Sequence, residues 1–341
     1  MNMSIIIPTY GRREGLRRTL GSLQEQTLPD FEILVVDNAA DAEVERMVRE
    51  FNRSARVPVH YVPEPRLGLH NTRHTGAREG KGEILVYADD DQTFGPGVVA
   101  AYAKAFAEHP EMSAAGGPIR LVWESPPPSW LLEYIGQARI FPILGLLDAY
   151  DEFRLDPKGF FFGGNMAIRR DVLFKVGGFN PGLVGDRYLG DSEVGLYRKL
   201  WQRQMLIGYI PEAVMYNYVP PERMTVSFFC RRMANEGISD IYSHYHPGVP
   251  HELSLLKHAV AIVVRNRKCW MASLLRRGRT DRGSVEIQID AARTRSQLKF
   301  LVRLVLNKEL RKLVQKKDWL EGSCESVSSP VYTPFGVERV R

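Results

Sequence analysis

The sequence predicts an α/β protein with a mostly parallel central sheet flanked by helices. Three observations carry that prediction. Strand-like and helix-like segments alternate from Met3 to about Phe94. The strands are continuous, β-branched apolar runs, the pattern of a sheet covered on both faces. Three of them end in polar groups, at Thr9-Tyr10, Asp37-Asn38 and Asp89 to Asp91, and sheets of this kind bind ligands at the carboxyl ends of their strands.

In order, "MSIIIPTY" reads as a strand, and "REGLRRTLGSLQEQ" puts Leu16, Leu20 and Leu23 at helical spacing. "FEILVVDNA" and "AEVERMVREFNR" repeat the pair, and "VPVHYVPE" is a third strand. "LHNTRHTGAREG" is a helix closed by Gly80, and "GEILVYADDD" is a fourth strand. Beyond Val98 come a helix ("VVAAYAKAFAEHP"), a Pro-rich loop ("WESPPPSWLL") and a strand running into Gly-Gly-Asn ("KGFFFGGN"). "GDSEVGLYRKLWQRQ" is an amphipathic helix with acids at its start, where the helix dipole favours them. "IGYIPEAVMYNYV" reads as a strand pair, and beyond Thr225 the chain turns helical and basic.

Composition narrows the classes. The 341 residues are 44% hydrophobic and 25% charged, which is a folded chain with a sizeable core and not a disordered one. Cys230, Cys269 and Cys324 are odd in number and fit neither a disulfide framework nor a metal spacing, so a reducing compartment is expected. The N-terminus lacks the basic region of a signal peptide, and no apolar run approaches the roughly 20 residues of a membrane span. The net charge is +6, yet Leu253 to Lys317 alone carry 17 Lys or Arg against 4 Asp or Glu, so the remainder is net acidic.

The strand-end residues define the candidate chemistry. Asp89 and Asp91, one residue apart, offer hard oxygen ligands for Mg²⁺ or Mn²⁺, an ion that takes the rest of its shell from substrate phosphates. A solvated turn is the alternative for the same three acids. Asp37 can accept from a base or a ribose hydroxyl, or serve ordinary Asp-Asn turn chemistry. Thr9 and Tyr10 follow Pro8, where a base can stack on the ring, and Arg73 at a helix start can reach a phosphate. Asp191 reads either as a helix N-cap or as a general base for a hydroxyl nucleophile, with Glu193 as the competing carboxylate.

Taken in order, "SIIIPTYGR", "FEILVVDNAAD", "RLGLHNTRHTGAREGKGEILVYADDD", "FFGGNMAIRRDVLFKVGGFN" and "GDSEVGLYRKLWQ" resemble the inverting family 2 glycosyltransferases of GT-A fold, over about Met3 to Gly237. The resemblance implies a nucleotide pocket at Thr9 and Tyr10, a base contact at Asp37 and a nucleotide-proximal Arg73. It implies a DXD-type element in which Asp91 binds metal and Asp89 faces ribose or metal. Gly164 and Asn165 match the Gly-Gly-Asn that borders the donor sugar, and Asp191 matches the catalytic base. The acid preceding that base is Gly190 here, and a histidine frequent in the family stands as Asn217.

The expected organisation is a catalytic domain over 1–237, a basic helical extension over 238–317 and a loose tail over 318–341. The expected partners are a nucleotide-sugar donor and a sugar or lipid-linked acceptor, as in cell-surface polysaccharide or glycolipid assembly. An anionic membrane surface is a further candidate through residues 253–317, where Leu298, Leu301, Val302, Val305, Leu306, Leu310 and Leu313 share a helical face. Packing of that face on the catalytic domain is the alternative, and nucleic acid is not supported by any recognition motif. The expected location is the cytoplasm, with a peripheral position at the inner face of the membrane left open. Two rival functions stay open: a sugar nucleotidyltransferase, for which "PTYGRREG" is a poor phosphate loop, and a degenerate transferase-like module acting through its basic segment.

Overall fold

The computed structural model describes residues 3–28, 30–184, 187–320, 332–333 and 336–337. The first half alternates as the apolar pattern predicts: β1 (Met3–Thr9), α1 (Arg13–Leu23), β2 (Phe31–Asp37), α2 (Ala42–Asn52), β3 (Val59–Pro63), α3 (Leu69–Glu79) and β4 (Ile84–Ala88). β1, β2 and β4 are buried along their whole length. Their side chains alternate between two cores, Ile5, Ile7, Ile33 and Val35 on one face and Ile6, Leu34, Val36, Leu85 and Tyr87 on the other. Each such side chain contributes roughly 1.5–3 kcal/mol by leaving water. Leu16, Leu20 and Leu23 are the buried stripe of α1, and α2 is capped by the Asp41 carboxylate accepting from the Glu43 amide at 3.0 Å.

The second half supplies β5 (Gln92–Phe94), α4 (Val98–Glu108), β6 (Met112–Gly116), β7 (Ile119–Trp123), α5 (Ser129–Ile135), β8 (Ile140–Phe141), β9 (Leu146–Leu147) and β10 (Arg154–Asp156). It continues through β11 (Asn165–Arg169), α6 (Arg170–Lys175), β12 (Leu183–Val184), β13 (Arg187–Tyr188), α7 (Ser192–Gln202), β14 (Leu206–Tyr209) and β15 (Met215–Val219). The main sheet has eight strands in the order β10-β14-β6-β11-β4-β1-β2-β3. Four of its seven pairings are parallel, and β11 enters antiparallel between β4 and β6. A second sheet runs β5-β15-β7-β9-β8. "IGYIPEAVMYNYV" is therefore not a hairpin, because β14 joins the first sheet and β15 the second. The strand expected before Gly163-Gly164 instead follows it, as β11. Asn165 binds the two sheets together: its Nδ2 donates to the carbonyls of Pro118 and Ala213, and its Oδ1 accepts from Tyr102 at 2.6 Å.

A 3₁₀ turn (Pro221–Arg223) leads into α8 (Val226–Tyr245), α9 (Glu252–Leu275), α10 (Arg282–Leu306) and α11 (Lys308–Gln315). α10 packs on both α8 and α9. The expected boundary after residue 237 lies inside α8, which runs unbroken across it. The amphipathic helix expected around 298–313 is two helices hinged at Asn307, and Leu301, Leu304 and Leu310 are buried in the helical core with Tyr242 and Leu255. Most of that face is spent on packing, while Val302 and Leu306 stay exposed. The tail expected from 318 begins by docking: Leu320 is buried against Phe179 and its neighbours, and the Trp319 amide donates to the Gly177 carbonyl. Residues 321–331, with Cys324, lie outside the described residues, and Tyr332–Thr333 pairs antiparallel with Gly336–Val337. Among the described residues, no helix is long and apolar enough to cross a membrane.

Candidate active site

The parallel register sets the site. Thr9 lies opposite Asp37, and Ile6 lies opposite Tyr87, so the ends of β1, β2 and β4 emerge along one edge with Asp89 to Asp91 leaving it. The turn is seated closely on α1, where any side chain at Gly15 would meet the Asp90 carbonyl at 2.5 Å.

Three successive carboxylates repel one another at this range, and the fold answers them with cations. Arg12 Nη1 donates to Asp90 Oδ1 at 3.1 Å and to Asp91 Oδ2 at 3.0 Å, and Arg223 Nη2 reaches the same Asp91 oxygen. Asp90 is the buried member, accepting from the Thr9 hydroxyl at 2.8 Å. Burial first, then its acidic neighbours, push Asp90 up to about 6 despite Arg12 and Thr9. Asp89, desolvated in the cleft and beside the Asp91 charge, is likewise raised above the ordinary carboxylate range.

Arg73 is the second organising charge. Its side chain is only 3% exposed, stacked 5.1 Å from the Phe179 ring. It donates to the Gly163 carbonyl and to Ser192 Oγ at 3.2 Å each, and lies 3.4 Å from Glu193 and 3.9 Å from Asp89. Arg73 thus ties α3, the Gly163 loop and the head of α7 to the carboxylate turn. The two glycines of that loop have no room for more: a Cβ at Gly163 would strike Arg73, and one at Gly164 would lie 2.5 Å from the Gln92 amide and 2.8 Å from the Asp89 carboxylate.

At the head of α7 the two acids part. Asp191 is buried, makes no cap hydrogen bond, and accepts from Asn180 Nδ2 at 2.8 Å and Ser243 Oγ at 2.7 Å. It lines a separate groove of about 730 Å³ with Arg198, Lys199 and His246. Ser192, at φ 44°, holds a backbone conformation costly for a residue with a Cβ. Glu193 then reaches Arg73. Burial raises the Glu193 carboxyl, but the Arg73 charge, a backbone amide and the Ser192 hydroxyl outweigh it and leave the group below its usual range.

The structure brings Thr9, Arg73, Asp89, Asp91 and Gly164 together. Tyr10 stands 57% exposed at the rim. Asp37 is fully buried, with its oxygens accepting from the Ala39 and Asp41 amides and the Tyr61 hydroxyl, so they serve the turn. Asn165 faces the core, as described, and Asn217 donates to the Leu144 carbonyl. Sequence reading missed Asp90, Arg12 and Arg223. Arg12 was open to notice as the cation in "PTYGRREG". Arg223 lies 132 residues from Asp91 and had no local signal.

Two carboxylates with hard oxygen donors suit a divalent ion that completes its shell on a diphosphate. Among the described residues, no three His, Cys, Asp or Glu side chains gather that could hold an ion unaided. A carboxylate turn at parallel strand ends, on this two-sheet frame, is the arrangement of the GT-A fold. Residues 4–177 match the model of glycosyl transferase family 2. The chain belongs to that family. It is 26% identical to a glucosyl-dolichyl phosphate glucuronosyltransferase of Haloferax volcanii over 221 residues, 64% of this chain and 67% of that one. It is 28% identical to a validoxylamine A glucosyltransferase of Streptomyces hygroscopicus, covering 54% of this chain and 48% of that one. A mannosyltransferase of Pyrobaculum calidifontis, solved with GDP-Man and Mn²⁺, superposes with a TM-score of 0.53 at 20% identity, over 92% of this chain and 83% of the other.

Proposed function

We propose that this chain transfers a hexose-type sugar from a nucleoside-diphosphate donor to a hydroxyl acceptor with inversion at the anomeric carbon. The alignment of Thr9, Asp37 and Asp89 to Asp91 along one sheet edge carries the reading. On this reading Thr9 and Tyr10 border the nucleotide, with Asp37 holding the turn behind them, and Gly164 lets the loop backbone pack against Asp89 where the sugar would lie. Asp89 and Asp91 would hold Mg²⁺ or Mn²⁺, which when bound neutralises charge developing on the diphosphate leaving group. Arg12 and Arg223, already on Asp91, are near enough to share that task.

The family resemblance selects Asp191 as the general base. The geometry supports Glu193 instead, because Glu193 sits beside Arg73 and the carboxylate turn and is held ionised. Asp191 is bonded on the far side of α7 to Asn180 and Ser243. The base takes the acceptor proton as the hydroxyl attacks from the face opposite the leaving group, and one such displacement inverts the configuration. The acceptor is proposed to be lipid-linked or a growing glycan, in line with the Haloferax relative named for a glucosyl-dolichyl phosphate, and the enzyme to be peripheral at the inner face of a membrane.

The test is release of nucleoside diphosphate from a panel of UDP, GDP and dTDP sugars, with the product anomer read by NMR. Glu193→Gln is expected to lower kcat about 10²–10⁴-fold with the donor still bound, and Asp191→Asn to retain most activity. The reverse pattern returns the base to Asp191, and a retained anomer removes the single-displacement mechanism.

A further inference from the structure

We infer that the outer face of α9 docks on an anionic lipid bilayer, the helix lying in the interface and not crossing it. This deepens the membrane-peripheral part of the reading above by naming the surface that does it. α9 packs inward through Leu255, Ala259, Ile262 and Ser273. On its other side Leu253, Leu256, Val260, Val263, Val264, Met271, Leu274 and Leu275 are all exposed, Leu275 to 82%. At 100° per residue these eight fall within a sector of about 120°, running the length of the helix for roughly 33 Å. Scattered exposed apolar residues are ordinary, whereas eight in one sector of a helix, broken only by Lys257 and Arg267, mark an interaction surface.

Charge selects the occupant. From Leu253 to Arg279 the chain has seven Lys or Arg and no Asp or Glu. Lys257 and Arg267 are exposed within the stripe, Lys268 beside it and Arg265 farther round the helix, and Arg277 and Arg279 are exposed just beyond its end. A second copy of the same face would bring these cations against one another, whereas anionic headgroups satisfy them while the apolar side chains enter the acyl boundary. Val302 and Leu306 are also exposed, on α10, near the end where Arg311 of α11 pairs with Glu252 of α9. Within the 253–317 surface expected from sequence, the helix around 298–313 is largely packed, and α9 presents the exposed apolar side chains.

Co-sedimentation of the full chain with phosphatidylglycerol-containing vesicles and with pure phosphatidylcholine vesicles tests the assignment. Binding to the first and not the second is expected, weakened by salt. The double variant Val260→Asp, Leu274→Asp should lower partitioning at least tenfold, and the milder Leu275→Ser severalfold, both with the wild-type Tm. Tm shifts by nucleotide, measured on the same samples, should be unchanged, which separates this surface from the active-site reading. Absence of vesicle binding by the wild type, or binding unaffected by both variants, would overturn the inference. So would a wild-type dimer in sedimentation that the double variant dissociates, since that assigns the stripe to a second copy.

Discussion

Replacing Arg73 by Met tests how the site is held together. The substitution keeps the length and apolar packing of the side chain against Phe179 but removes the guanidinium from Glu193, Ser192, Gly163 and Asp89. It leaves the Glu193 carboxylate without its ion-pair partner, with only Arg232 still acting on it from farther along the chain. Removing one partner of a buried pair costs about 3–5 kcal/mol, which at roughly 2–4 °C per kcal/mol lowers Tm by about 10 °C at pH 7.5. The sign of the pH dependence follows from the balance at Glu193. In the wild type the group lies below its ordinary value, so its stabilisation is present above the unfolded carboxylate range and is lost as pH falls through the folded value. In the variant the largest opposing charge is gone and only a backbone amide, the Ser192 hydroxyl and Arg232 remain against desolvation, so the group rises relative to the wild type. The loss then applies at neutral pH and is relieved as pH falls. The difference in Tm between wild type and variant should therefore shrink between pH 7.5 and pH 5, read by differential scanning fluorimetry. The acidic limb of the activity profile should also move to higher pH. An Arg73→Met protein with wild-type Tm at pH 7.5, or a gap that widens on acidification, would refute the reasoning.

Three further outcomes follow from the packing and the buried groups. Gly164→Ala puts a methyl where the Gln92 amide and the Asp89 carboxylate now lie; donor turnover should fall at least tenfold with far-UV circular dichroism unchanged, and a fully active variant would remove Gly164 from the site. Asn165→Leu strands the Tyr102 hydroxyl and the Pro118 and Ala213 carbonyls in the core, at about 1–3 kcal/mol for each unsatisfied group, so urea unfolding should lose several kcal/mol. His70 is lowered to about 4, chiefly by burial, and its neighbour His74 is also lowered. Because His70 folds with its value below the unfolded 6.5, stability is lost as pH falls, by about 2 kcal/mol at pH 5 for His70 alone. His70→Leu should reduce the stability lost between pH 7 and pH 5, and an unchanged loss would discount the buried imidazole.

Much of the fold was legible because the physics was local. β1, β2 and β4 announce themselves as β-branched runs whose both faces are buried, and the register of a parallel sheet then aligns Thr9 with Asp37. The second half was less readable. β14 and β15 are close in sequence but belong to different sheets, a division set by long-range partners such as β6 and β7. At the site, residue type and strand position pointed to Asp89 and Asp91, whereas the direction of a side chain off a helix head did not show. Asp191, at the N-cap, and Glu193, in the first turn of α7, face different neighbours, as residues two apart on a helix do, and the positive φ of Ser192 between them is a backbone choice no periodicity reveals. The stretch 298–313 is amphipathic in α10 and α11, yet amphipathicity alone does not say whether the apolar face meets lipid or protein. Phe300, Leu301 and Leu304 meet protein.

The most direct measurement is a thermal-shift series of UDP, GDP, dTDP and CMP, each with and without Mn²⁺, on the wild type and on Asp91→Ala. A ligand that binds only the folded state raises Tm by mass action, worth about 2.7 kcal/mol at one hundred times its Kd. The account predicts stabilisation by a diphosphate, strengthened by Mn²⁺ and lost in Asp91→Ala. A well-folded wild type that no nucleotide stabilises, or a metal-dependent shift that survives in Asp91→Ala, would contradict it.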